Sequence, residues 1–190
     1  QRTIIALLSP NLREDEYSPS NLAEKLGYST MTLSRVFNEL EAISFGNQIT
    51  AGRKRLLRLS GGDRRTLWNH ALPYLATPVK RTETIVNIKE VDSKLPLSGI
   101  SALAQQSDLT EPYRKTVAVD ESQWRRIHRD GSIKEVPPTE ETATLVEVWK
   151  YPPQRWSETV EPLSLYLSLR ASPDERIQRA IEILLERFPW

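Results

Sequence analysis

Arg35 and Asn38 stand three positions apart in a stretch that also holds Met31, Thr32 and Ser34. Together they form a set suited to reading hydrogen-bond patterns. A guanidinium offers paired donors that fit guanine, and a carboxamide offers the donor and acceptor that fit adenine. Hydroxyls take phosphate or base edges, and a thioether can contact a thymine methyl. Ser29 and Thr30 precede them, where a helix start would present free N–H groups that suit a phosphate. Further on, Arg53, Lys54, Arg55, Arg58, Arg64 and Arg65 fall within thirteen positions, diluted by Asp63. Such density can neutralise several phosphates; the plain alternative is a solvated basic loop.

These side chains need a helix and a hairpin to position them. Leu33, Val36, Phe37 and Leu40 recur at i, i+3, i+4 and i+7 after Ser29, a capping residue, so the spacing predicts a helix from Ser29 through Leu40. At about 100° per residue its apolar arc centres on those four, and the opposite arc on Met31, Arg35 and Asn38. Ser18-Pro19 predicts the start of a preceding helix that runs to Leu26, where Gly27 closes it. Residues 3–8 read as the end of a first helix. Gly46-Asn47 and Ala51-Gly52 are turn signals within 43–59, the place for a hairpin. After Gly61-Gly62-Asp63 comes a helical segment with Leu67, Trp68, Ala71 and Leu75 on one face, interrupted by Pro73.

Residues 22–40, LAEKLGYSTMTLSRVFNEL, resemble the helix-turn-helix of bacterial regulators over their full length. Ala23 is small where two helices cross closely, Gly27 permits the turn, and Leu22, Leu26, Leu33 and Val36 fill the wedge between them. With Ile43 as a link and the hairpin bearing Arg53, Lys54 and Arg55, residues 1–75 resemble the winged helix of MarR-like regulators. The resemblance implies a wing lying along the backbone or minor groove beside the recognition helix. The first helix is shorter than that family's. Residues 97–104, LSGISALA, look like part of the AbiEi-type antitoxins, which repress their own operon and counter a nucleotidyltransferase toxin.

The second half alternates: strands are expected at 84–88, 116–119 and 145–151, helices at 96–106 and 120–129, and an exposed loop at 130–144. Ser172-Pro173-Asp174-Glu175 predicts a helix capped by Ser172, with Ile177, Ala180, Ile181, Leu184, Leu185 and Phe188 as its apolar stripe. The fold class expected is α+β, with a winged helix-turn-helix domain at 1–79 and a small α+β domain at 80–190 for effector, dimer or partner contacts.

Composition narrows the function. Residues 1–80 carry 11 Lys or Arg against 7 Asp or Glu, and residues 81–190 carry 15 against 18, so the front is net +4 and the rest net −3. That asymmetry points to an anionic partner for the basic half. Zero cysteines exclude disulfides and thiolate metal sites, which fits a reducing cytoplasm, and two histidines, His70 and His128, leave little for zinc. No apolar run is long enough to span a bilayer and no secretory signal opens the chain; the initial Gln leaves open a longer native chain. Asp120, Glu121, Glu147 and Lys150 lie near strand ends as a metal nuclease would need, but Glu147 and Lys150 are spaced for opposite faces of a strand, as ordinary surface charges. His128 with Arg125, Arg126 and Arg129 reads as the solvated side of a helix anchored by Trp124 and Ile127. Trp149, Trp156, Tyr151 and Tyr166 read as core, or as the lining of an effector pocket. The sequence thus points to a bacterial, sequence-specific double-stranded DNA-binding repressor, not an enzyme, needing no cofactor or metal and working as a homodimer. An antitoxin bound to a toxin protein, a small-molecule effector in the second domain, and a protein-interaction module without DNA binding are the alternatives.

Overall fold

The computed structural model describes residues 1–86, 95–129, 133–137, 139, 140 and 142–190. The chain is mixed α+β. It divides into two compact units, Gln1–Leu75 with Pro189–Trp190, and Ala76–Phe188. The division falls a few residues ahead of the expected one because residues 77 and 78 are already tied into the second unit. The Lys150 N–H donates to the Pro78 carbonyl (2.9 Å), and Lys150 Nζ donates to that of Thr77 (2.9 Å).

The first unit is three helices, a hairpin and a closing helix: α1 (Arg2–Leu8), α2 (Pro19–Leu26), α3 (Thr30–Ala42), β1 (Gly46–Ala51), β2 (Lys54–Leu59) and α4 (Arg64–Ala71), followed by a 3-10 turn at Leu72–Tyr74 where Pro73 stops the α-helix. Local chemistry sets each boundary. The Ser18 hydroxyl accepts from the Asn21 N–H, Pro19 occupies the first turn, and Gly27 closes α2 with φ +66°, in open space. Ser29 caps α3 by accepting from the Thr32 N–H. Leu22, Ala23 and Leu26 of α2 and Leu33, Phe37 and Leu40 of α3 are buried, along with Tyr17, Phe45, Leu57, Leu67 and Trp68. Val36, expected in the wedge, is only half-buried. Gly46, expected in a turn, opens β1 instead; a Cβ there would come 2.8 Å from the Arg58 carbonyl, so strand pairing itself requires the glycine. The hairpin is antiparallel, from Gly46 opposite Leu59 to Ala51 opposite Lys54, with Gly52 at φ +62° in its turn.

The second unit is built on a sheet of order β4-β6-β3-β5: β3 (Val79–Val86), β4 (Thr116–Asp120), β5 (Lys134–Glu135) and β6 (Thr144–Trp149). β6 runs parallel to β4 and antiparallel to β3. The period of two along β6 sends Val146 and Val148 to one face, where they join Ile85, Val117, Val119 and the Trp124 and Ile127 anchors of α6 (Glu121–Arg129). Trp149 goes to the other face, joining Ala118, α5 (Gly99–Ala104), α7 (Pro162–Leu169) and α8 (Glu175–Glu186). β7 (Arg155–Trp156) and β8 (Thr159–Val160) form a small ribbon.

Several expectations are corrected here. β3 starts at Val79 and not at 84, while residues 87 and 88 lie outside those described. β5 sits inside the expected loop of 130–144, paired with Ile85 and Val86. The cap of α8 is Asp174, which accepts from the Arg176 N–H, and not Ser172. α7 was not foreseen. It is capped by a buried Glu161, an unusual capping residue, and is apolar on most sides. Among the described residues no helix is long and apolar enough to cross a membrane.

Candidate nucleic-acid interface

Met31 and Arg35 lie one turn apart on the outer face of α3, with Met31 67% exposed and an Arg35 Nη2 3.8 Å from the Met31 sulfur. Asn38, one further turn along, is exposed as well. Ser29, Thr30 and Thr32 are exposed at the helix start, where the Ser29 and Thr32 hydroxyls also bond each other at 2.8 Å. Ser34 is half-buried and donates back to the Thr30 carbonyl at 3.0 Å, so only its lone pairs remain for a ligand. Thr30 shares an open groove of about 490 Å³ with Lys54, Arg55 and, at the start of α2, Ser20 and Asn21.

A polar lattice unforeseen in the sequence joins helix and hairpin. Glu41 accepts from the Gln48 backbone N–H (2.8 Å) and from Gln48 Nε2 (2.7 Å). Those two bonds, with the nearby Arg55 charge, hold the Glu41 carboxyl below the usual range against a small opposing desolvation. Gln48 Nε2 and Arg55 Nη2 both donate to Asn38 Oδ1, at 3.2 and 2.7 Å. At the base of the hairpin the Ser60 hydroxyl donates to the Ser44 carbonyl (2.7 Å), and His70 Nε2 of α4 donates to that of Ile43 (2.5 Å). The alternation of β1 places Gln48 on one side of its strand, but nothing local in the sequence names its partner across the chain.

The basic cluster separates into roles. Arg53 lies in the turn and Lys54 directly after it, both exposed, and their side chains make no hydrogen bond or ion pair among the described residues. Arg55 reaches α3 as described, and Arg58 pairs with Glu16 at 2.5 Å. Arg64 is no part of a phosphate surface. It is half-buried and donates to the carbonyls of Leu7, Ser9 and Leu12 and to the Tyr17 hydroxyl, tying α4 to the start of the chain. Arg65 beside it is exposed.

The residues weighed for catalysis in the second unit are occupied structurally. Glu147 is a buried carboxylate and not a surface charge: Ser98 Oγ and Trp149 Nε1 (3.0 Å) donate to its Oε2, while burial pushes its pKa up. Lys150 lies just past the strand, exposed. Asp120 accepts from the Gln123 N–H and the Ser122 hydroxyl at the start of α6. Glu121 is held down to about 2 by hydrogen bonds from Arg81 and Lys80. Among the described residues no group of three or more His, Asp or Glu side chains could hold a metal ion. His128 faces Glu135 at 3.5 Å and Trp124 at 5.9 Å between ring centres. Trp149 is core, with Tyr151 and Tyr166 packed against it; Trp156 is half-buried against Phe188.

Compared with known proteins, the chain matches no family model, and no curated protein or solved structure matches it significantly.

Proposed function

We propose that the first unit is a winged helix-turn-helix that binds double-stranded DNA, with α3 as the recognition helix in the major groove and the β1–β2 hairpin as a wing on the phosphates. The observation that carries this reading is a helix capped by Ser29 that exposes Met31, Arg35 and Asn38 in successive turns, joined by hydrogen bonds to a hairpin whose turn bears Arg53 and Lys54 without partners. A cation left unpaired on a rigid turn suits a polyanion. One such helix reads few base pairs, so a homodimer on paired half-sites one turn apart, acting as a repressor, is the form in which the unit would be selective.

A salt titration on random duplex DNA tests it. Affinity is expected to fall log-linearly with salt, and Arg53→Ala or Lys54→Ala to make that dependence shallower by about one counterion each. Retention of the duplex with no salt dependence, or none at low salt, would favour a protein-interaction module instead.

A further inference from the structure

We propose that Asn38 recognises guanine and not adenine, because the hairpin fixes its amide with the acceptor turned inward. This inference rests on the DNA-binding reading above and adds the identity of the base.

The orientation follows from what each neighbour can do. The Glu41 carboxylate only accepts, so the end of Gln48 that meets it at 2.7 Å is the amide nitrogen. That same nitrogen lies 3.2 Å from Asn38, and the guanidinium of Arg55, which only donates, lies 2.7 Å from the same atom. Two donors converging on one atom require that it be oxygen; the flipped amide would set N–H against N–H. Asn38 therefore spends Oδ1 on the protein and keeps Nδ2, on an exposed residue, with no partner among the described residues.

An asparagine reads adenine by using both ends, accepting from N6 and donating to N7. With its acceptor taken, Asn38 can only donate. Guanine presents two acceptors in the major groove, N7 and O6, and thymine one, O4, beside a methyl group, whereas adenine sets an unmatched N6 donor beside N7 and cytosine offers only a donor. Arg55 is then a positioning residue for Asn38 in addition to any phosphate it meets.

The experiment selects from a random-sequence duplex library with the full chain and then measures binding to fixed duplexes varied at one pair. The position read by Asn38 is the one at which Asn38→Ala loses its preference. There the parent is expected to favour guanine over adenine by roughly tenfold. Arg55→Ala frees one of the two Oδ1 lone pairs, Gln48 keeping the other, and is expected to move that preference toward adenine, an effect absent in the Asn38→Ala background, whereas Arg55→Lys keeps guanine. An adenine preference in the parent, or an Arg55→Ala preference identical to the parent's, overturns the inference while leaving DNA binding intact. A library that yields no enriched sequence overturns DNA recognition itself and this inference with it.

Discussion

The two units use charge in opposite ways. The first leaves cations outside and without an ion pair among the described residues, at Arg35, Arg53 and Lys54. The second takes carboxylates inside: Glu147 is 9% exposed beneath Ser98 and Trp149, and Glu161 is 6% exposed at the start of α7. Unpaired charge on a surface is inexpensive and available to a ligand, whereas a buried carboxylate costs stability unless donors surround it. The contrast separates a unit with unpaired cations on its surface from one whose buried polar groups serve its own architecture.

Arg64 can break this contrast, since like Arg2, which donates to the Leu26 carbonyl, it is a cation of the first unit turned to structural use. Arg64→Ala strips donors from three carbonyls and a hydroxyl and is expected to cost about 2–4 kcal/mol in denaturant unfolding. Arg65→Ala, on the next, exposed residue, should cost less than about 0.5 kcal/mol. Equal losses would mean that exposure does not distinguish the two.

The buried carboxylates set a pH dependence. Burial pushes Glu161 from 4.5 up to about 7, outweighing the N–H groups of Leu163 and Ser164 that favour its anion. A folded-state pKa above the unfolded one makes the contribution whole below pH 4.5 and lost as pH rises through 7, a difference of about 3 kcal/mol. Unfolding curves at pH 5 and pH 8 should show it, and Glu161→Gln, which keeps an acceptor for one of the two N–H groups and cannot ionise, should flatten it. A stability that climbs across this window would oppose the assignment. Glu121 works the other way at a lower range: held at about 2, it contributes above its ordinary 4.5, a contribution lost as pH falls toward 2.

Smaller effects sharpen the first unit's side of the comparison. Arg35→Ala should lose about 1–3 kcal/mol of discrimination at one base pair, read as the ratio of affinities for two duplexes. Ser29→Ala removes the acceptor for the Thr32 N–H and should lower stability by about 1 kcal/mol, measured by thermal unfolding.

What the sequence made legible was local. Both ends of α2 and the start of α3 follow from Ser18, Pro19, Gly27 and Ser29, whose capping bonds reach backbone groups three or four residues away, and the period of Leu33, Phe37 and Leu40 marks the buried side directly. Less visible was whatever depended on distant partners. Glu147 looked like a surface charge because no pattern in TLVEVW says that Ser98 will reach it. Arg64 looked like its neighbours because its carbonyl acceptors lie more than fifty positions away. α7 escaped because an apolar segment behind a glutamate offers neither amphipathic period nor common cap. Asn38 showed an amide on the exposed side of its helix, but the end of that amide left free depends on Gln48 and Arg55.

The double attachment of Gln48 to Glu41, through main chain and side chain, also has a mechanical meaning. Helix and hairpin cannot swing apart without breaking both bonds, so they act as one stiff template. If the unit binds a duplex as proposed, curvature at the contact comes from the duplex, and pliable pyrimidine–purine steps at a site would then favour binding at positions no side chain touches.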